Sequence, residues 1–282
     1  MTGPLLPPLW IEDAPAPAPI QYGLFSVAMG PLVLPDHGIA SGTEYLSDDC
    51  GTPRIYPGLC DLTPATKTFD PMGSTVKGLP YVAYASLVCG SQTFDFATME
   101  TKVRARLASK EQTEAEMMLW GTTAGDDVSY FHAGAPATNI TVTNLGAAAS
   151  VTAGVAVLEQ QLASCYANHP GIIHARPKLA AFLADHYQAV RWDGTAWRTQ
   201  RGNLMVFGDG YSGIGPGADP PTATTEWMYA TGRVVIWRSD QTDVPDPRQT
   251  FDRAANQYKL IAERQYVVAV ECCIAAVEVT IP

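Results

Sequence analysis

The chain has 282 residues, a formal net charge of −10 and a pI near 4.9, with 46% hydrophobic but only 16% charged residues. That length allows about two domains, and the acidic balance argues against a protein that grips nucleic acid through Lys and Arg on the phosphates. No apolar run approaches the ~20 residues that span a bilayer.

The opening MTGPLLPPLWIEDAPAPAPIQYG has no positive n-region and is broken by prolines, unlike a signal peptide. A cytoplasmic chain is expected, with Cys50, Cys60, Cys89, Cys165, Cys272 and Cys273 as reduced thiols. Proline this dense forbids helix in residues 1–35. The interleaved Leu9, Trp10, Ile11, Tyr22, Leu24 and Phe25 mark an ordered arm that docks on something. Residues 36–90 read as strand, irregular excursion and strand, with turn signals in SDDCGTPRIYPGL, DPMG and KGLP. YVAYASLVC is the returning strand, so a two-stranded loop projects from the body.

Thr93 to Gly121 reads as one long helix with Phe96, Met99, Val103 and Leu107 on one face. Its stripe lapses in ASKEQTE and resumes at Ala115, Met118 and Leu119, as if the middle faced solvent or another subunit. A strand follows in NITVTN, then a helix over 151–167, a buried strand in GIIHA and a short helix opened by Pro177. VRWDGTAWRT is expected as a hairpin with a type I′ turn at Asp193-Gly194. NLMVFG is a strand, GDGYSGIGPGADPP a loop, and TEWMYATGRVVIWRS two strands around Thr231-Gly232. FDRAANQYKLIAER is expected as a helix, leading into one long terminal strand, QYVVAVECCIAAVEVTIP. Helices and strands mix without a regular β-α-β beat, which argues for α+β.

Little chemistry is encoded. Gly208-Asp209-Gly210-Tyr211-Ser212-Gly213 matches G-x-G-x-x-G, yet the following Ile214-Gly215-Pro216-Gly217 cannot open the helix that would hold a pyrophosphate. Among the histidines, His169 and His174 lack zinc-helix spacing, and His174 in an apolar strand reads as a hydrogen-bonded core residue. No C-x-x-C, P-loop or G-x-S-x-G is present. No catalytic residue, metal ligand or cofactor is expected. The alternative from another class is a cytosolic hydrolase around His174, Asp209 and Tyr211.

The order of parts resembles the major capsid proteins of tailed phages, the Johnson or Hong Kong ninety-seven fold. The local likeness is to those of actinobacterial siphophages. It rests on EYLSDDCG, GLC, YASLVCG, AEMMLWG, GIIHARP, RWDGTAWRTQRG, FGDGYSGIGPG, WMYATG and IAERQYVVAVECC. The resemblance implies an N-arm (1–35), an E-loop with flanking strands (36–90) and a P domain with the spine helix (91–146). It further implies an A domain (147–243) and a return to the P domain by a helix and a long strand (244–282). It implies a subunit that assembles in the host cytoplasm into hexamers and pentamers, closing around double-stranded DNA in the virion without reading its sequence. Portal, scaffold and decoration proteins are the implied further partners, with no membrane. An encapsulin-like cargo shell shares the fold and stays open as an alternative.

Inter-subunit contacts are expected at Trp10, Tyr22, Phe25, Arg54, Tyr56, Lys67, Lys77, Asp209 and Tyr211. Lys67 and Lys77 fall in the E-loop, where some relatives cross-link, but no carboxylate is expected beside them as a base, so lateral contacts are expected to be non-covalent. The arm lacks the charged heptads of a scaffolding segment, so no large cleavage on maturation is expected.

Overall fold

The computed structural model describes residues 22–34, 41–47, 74–90, 95–121, 130–131, 141–166, 169–184, 190–239 and 250–282. Period-two patterning builds the first sheet. In β3 (Ser74–Gly90), Ala83 and Ala85 are buried while Val82, Tyr84 and Val88 are exposed. The partner strand β12 (Gln257–Val270) runs antiparallel to it over twelve residue pairs, from Gln257 opposite Gly90 to Val268 opposite Leu79. Two more strands flank this pair. On one side β10 (Val234–Ser239) joins β12, and β1 (Met29–Leu34) joins β10 in parallel. On the other, β2 (Thr43–Ser47) pairs with the start of β3, from Thr43 opposite Gly78 to Ser47 opposite Ser74. The two strands expected on either side of the irregular excursion therefore pair with each other, while residues 48–73 between them lie outside the described residues. KGLP does not break the strand; Lys77 to Pro80 lie within β3.

One face of this sheet packs on two helices rather than one. α1 (Phe96–Ala108) starts at Asp95, whose carboxylate accepts the Thr98 N–H at 2.7 Å, and it buries Met99, Val103 and Leu107. Each such side chain contributes about 1.5–3 kcal/mol of burial. The helix stops at Ser109, and Lys110 N–H turns back to Leu107 O at 2.9 Å. α2 (Glu111–Leu119) follows this two-residue turn, burying Ala115, Glu116 and Leu119. The single long helix is thus corrected to two. The lapse in the apolar stripe marks this break, and Glu111 within it is 5% exposed rather than turned to solvent.

The second sheet has seven strands in the order β4-β13-β9-β5-β8-β7-β6. These are β4 (Val142–Ala148), β5 (Ile172–Ala175), β6 (Val190–Trp192), β7 (Trp197–Thr199), β8 (Leu204–Phe207), β9 (Thr225–Thr231) and β13 (Ile274–Thr280). β4 lies a few residues later than NITVTN suggested. On one face sit α3 (Val151–Cys165), capped by Ser150 on the Ala153 N–H, and α4 (Pro177–Ala184). They pack Leu158, Leu162, Leu179 and Leu183 on Ile173, Met228, Ala275 and Val277. The other face, with Ile172, Val206, Tyr229 and Ala276, shares the core of the first sheet. The central strands are therefore buried on both sides.

Three expectations fail at the C-terminal end and at the β6–β7 turn. Residues 251–264 are not a helix. Phe251-Asp252 form the short β11, the Asp252 carboxylate holds the Ala254 and Ala255 N–H groups in a turn, and β12 follows. The physical reason is alternation: Tyr258, Leu260 and Ala262 point inward while Lys259, Ile261 and Glu263 point out. Nor is the terminal strand continuous. It turns at Glu271–Cys273, where Cys272 adopts φ 67°, and passes from the first sheet to the second. The β6–β7 turn has four residues, not two, because Trp192 pairs with Trp197 and the Asp193 carboxylate accepts the Thr195 and Ala196 N–H groups.

The cysteines differ as well. Cys165 and Cys273 form a disulfide with Cα atoms 6.1 Å apart, tying the end of α3 to the turn before β13. Compartment reasoning alone had suggested thiols; the fold instead brings two residues 108 positions apart together. Cys272 is also disulfide-bonded, whereas Cys89 is a free thiol. Cys50 and Cys60 lie outside the described residues.

Candidate functional site

His174 on β5 is fully buried, with Nδ1 2.7 Å from the Tyr211 hydroxyl and Nε2 2.9 Å from Thr231 Oγ1. Thr231 donates its own proton to Gly232 O at 2.9 Å. It must therefore accept from Nε2–H, which leaves Nδ1 to accept from Tyr211. Burial holds the imidazole neutral, its pKa lowered to about 3. Both nitrogens are used, and Phe131 lies against the ring at 5.3 Å. A base that no substrate can reach does no proton transfer. Asp209 is exposed and makes no bond to the imidazole among the described contacts, so His174, Asp209 and Tyr211 do not form a catalytic constellation.

The G-x-G-x-x-G stretch is a packing loop. A Cβ on Gly210 would lie 2.2 Å from Thr113 O of α2, so only glycine allows the loop to lie directly on the helix. Tyr211, 4% exposed, packs at a tilt against Trp120, ring centroids 5.1 Å apart, inside its own subunit. It is withdrawn as an inter-subunit contact because no ring surface remains for a neighbour. No group of three or more His, Cys, Asp or Glu among the described residues is placed to hold a metal. No described helix is long and apolar enough to cross a membrane.

Two buried carboxylates on α2 organise the region where segments meet. Glu116 accepts the Leu24 N–H at 2.8 Å and the Gly210 N–H at 3.0 Å. One side chain thereby fixes the root of the N-terminal segment and the loop after β8 to the same helix. Desolvation pushes its pKa up, while the two N–H donors pull the other way. Glu111 accepts from Arg264 at 2.7 Å and from Arg238 at 3.5 Å, joining the helix break to β12 and β10. Sequence reasoning missed both. The only signal was acids bordering an apolar run, in KEQTEAEMMLW. Replacing Glu111 with Ala leaves two guanidinium groups facing each other at a half-buried site. The expected loss is about 2–3 kcal/mol, below the figure for a fully buried pair because Arg238 still reaches solvent. Urea midpoints read it, and a loss under ~0.5 kcal/mol would show the cluster to be merely solvated.

Several large apolar side chains are exposed on the first sheet. Val82 (52%), Tyr84 (65%) and Val88 (56%) line the outer face of β3, with Ile261 of β12 beside them, and Leu46 projects from β2. Met29, Leu32 and Val33 are exposed on β1, a free edge of the first sheet. Patches of this kind mark interaction sites. Of the expected contacts, Tyr22 is exposed, Phe25 is half-buried with its N–H on Gln112, and Lys77 is exposed with Glu44 at 3.9 Å. For Lys77 this overturns the expectation that no carboxylate lies beside it, since β2 pairing places Glu44 near its Nζ. Trp10, Arg54, Tyr56 and Lys67 lie outside the described residues.

No family model matches the chain, and no match is found among curated proteins. Solved structures do match along nearly its whole length. The chain is similar to the capsid of an empty GTA particle, with a TM-score of 0.61, 15% identity, and coverage of 98% of this chain and 96% of that one. It is similar to a chain of Gordonia phage Cozz (TM-score 0.53, 10% identity, coverage 99% and 92%). A third likeness is to the capsid of Ralstonia phage GP4 (TM-score 0.52, 12% identity, coverage 99% and 96%). The chain therefore has the α+β fold of these phage and particle capsids.

Proposed function

We propose that this chain is the structural subunit of a tailed-phage capsid. The observation that carries the reading is the match to a capsid chain over 98% of this chain and 96% of the other. In that frame residues 1–35 are the N-arm, 36–90 the E-loop with flanking strands, 91–146 the P domain and 147–243 the A domain, with 244–282 returning to the P domain. α1 and α2 together take the place of the spine helix. The exposed apolar rows on β1, β2 and β3 then become lateral contacts between copies in hexamers and pentamers, in obligate interfaces of more than ~2,000 Å². The shell assembles in the host cytoplasm and encloses double-stranded DNA without base readout, consistent with a charge of −10. A portal, and scaffold or decoration proteins, are its proposed partners.

Electron microscopy of the expressed chain and of a variant lacking residues 1–30 tests this. The full chain should give closed shells or capsomers, and the deletion capsomers that do not close. Small globules from the full chain at high concentration would overturn the reading, and normal particles from the deletion would remove the arm from it.

A further inference from the structure

Strand β6 is one of the two edges of the seven-stranded sheet, and it carries an aromatic surface that lateral contacts in the first sheet leave unexplained. Trp192 stands opposite Trp197, with ring centroids 6.0 Å apart. Tyr22 meets Trp192 edge-on at 4.9 Å and Trp197 at 6.4 Å. The Tyr22 carbonyl also accepts the Phe207 N–H at 3.3 Å, so the backbone is fixed beside the hairpin at that point. Trp192 nevertheless stays 41% exposed. Arg191 and Arg201 are exposed on the same hairpin and the turn after it, whereas Arg198 is taken by Asp193.

The chain immediately before Tyr22 reads Ala14-Pro15-Ala16-Pro17-Ala18-Pro19-Ile20-Gln21, and its only charged side chains are Glu12 and Asp13. Alternating prolines favour the polyproline II conformation, which loses little entropy on docking. Such segments dock on aromatic surfaces through their ring faces. The β6 edge is only three residues long and alternate prolines leave few N–H groups to pair with it, so side-chain docking on the rings is the favoured mode. Reach is sufficient: nine residues at ~3.1 Å each carry Asp13 about 28 Å from Tyr22, against roughly 10 Å for a three-residue strand.

We propose that Trp192 and Trp197 are the docking platform for the proline-rich segment 14–19 of the same chain, with Glu12 and Asp13 set against Arg191 and Arg201. The attachment at Tyr22 makes this an intramolecular event with a high effective concentration. It does not depend on shell assembly.

The test uses the full chain labelled with 5-fluorotryptophan, kept dilute and unassembled, with the Trp192 fluorine resonance assigned by Trp192→Phe. Deleting residues 1–20 should move the Trp192 resonance and raise its solvent-isotope shift at least twofold, while Trp120, Trp227 and Trp237 stay in place and report an intact fold. The variant Pro15→Ala, Pro17→Ala, Pro19→Ala should move it the same way with the chain length kept. An unchanged Trp192 resonance in both variants overturns the proposal. So does a change seen only at concentrations where copies associate, because the occupant is then a second copy.

Discussion

Replacing both Cys165 and Cys273 with Ala is expected to lower the unfolding free energy by about 4–5 kcal/mol. The bond closes a loop of 108 residues, and in the chain-entropy account a loop of about 100 residues restricts the unfolded chain by roughly 4.7 kcal/mol. That figure is a large share of the ~5–15 kcal/mol that holds a folded protein. The effect acts mainly on the unfolded state, so native contacts of Leu162 and Ile274 beside the bond should be unchanged. Denaturant midpoints of the oxidised wild type and the double variant give the answer. A difference below ~1 kcal/mol would show that the bond restricts little. Reductant is the poorer probe, since it also opens the bridge at Cys272.

Acid is expected to weaken the fold through His174, beginning near pH 6.5. The folded chain holds this imidazole neutral, with a pKa of about 3 against the ordinary 6.5. Between those values the unfolded chain binds a proton that the folded chain refuses. Stability is therefore intact above pH 6.5 and is lost as pH falls, at up to about 1.4 kcal/mol per pH unit. Glu116 works in the opposite sense. Its folded pKa is raised above 4.5 by burial, with Asp209 adding to the rise, so protonation in that region favours the folded chain. The two groups act in opposite directions above pH 4.5, where the Glu116 carboxyl is the more readily protonated in the folded chain. His174→Gln should flatten the fall of stability on acidification, and Glu116→Gln, which removes the opposing effect, should steepen it. If the histidine variant fails to fold, imidazole NMR of the wild type serves: a His174 resonance that titrates near pH 6.5 would sink the argument.

Local period made much of the fold legible. Met99, Val103 and Leu107 announced a helix, and the alternation in YVAYASLVC announced a strand, because each signal sits inside one element. The break at Ser109-Lys110 showed only as the lapse in ASKEQTE, which was read as an exposed middle because neither Gly nor Pro marks an end there. Its purpose depends on Arg238 and Arg264, 127 and 153 residues from Glu111. Residues 251–264 contain good helix formers in Ala254, Ala255 and Leu260, yet a place between β10 and β3 outweighs propensity. The internal role of His174 was readable from its apolar strand. Tyr211 was grouped with it as part of a hydrolase site, and the two do meet, but as a buried packing pair, which 37 residues and a glycine-rich loop between them did not reveal.

β12 lies between β10 and β3, and β13 between β4 and β9, so residues 257–280 supply an inner strand to each sheet. On the ribosome every other strand emerges before them. The β6–β7–β8 meander can pair early, but neither core can close until this stretch arrives. Folding is thereby deferred to the end of synthesis, and the long-range pairings make it slow. A chain cut short before residue 257 lacks the middle of both sheets and presents no finished surface to a neighbour. Strand order thus makes both sheets depend on the residues that leave the ribosome last.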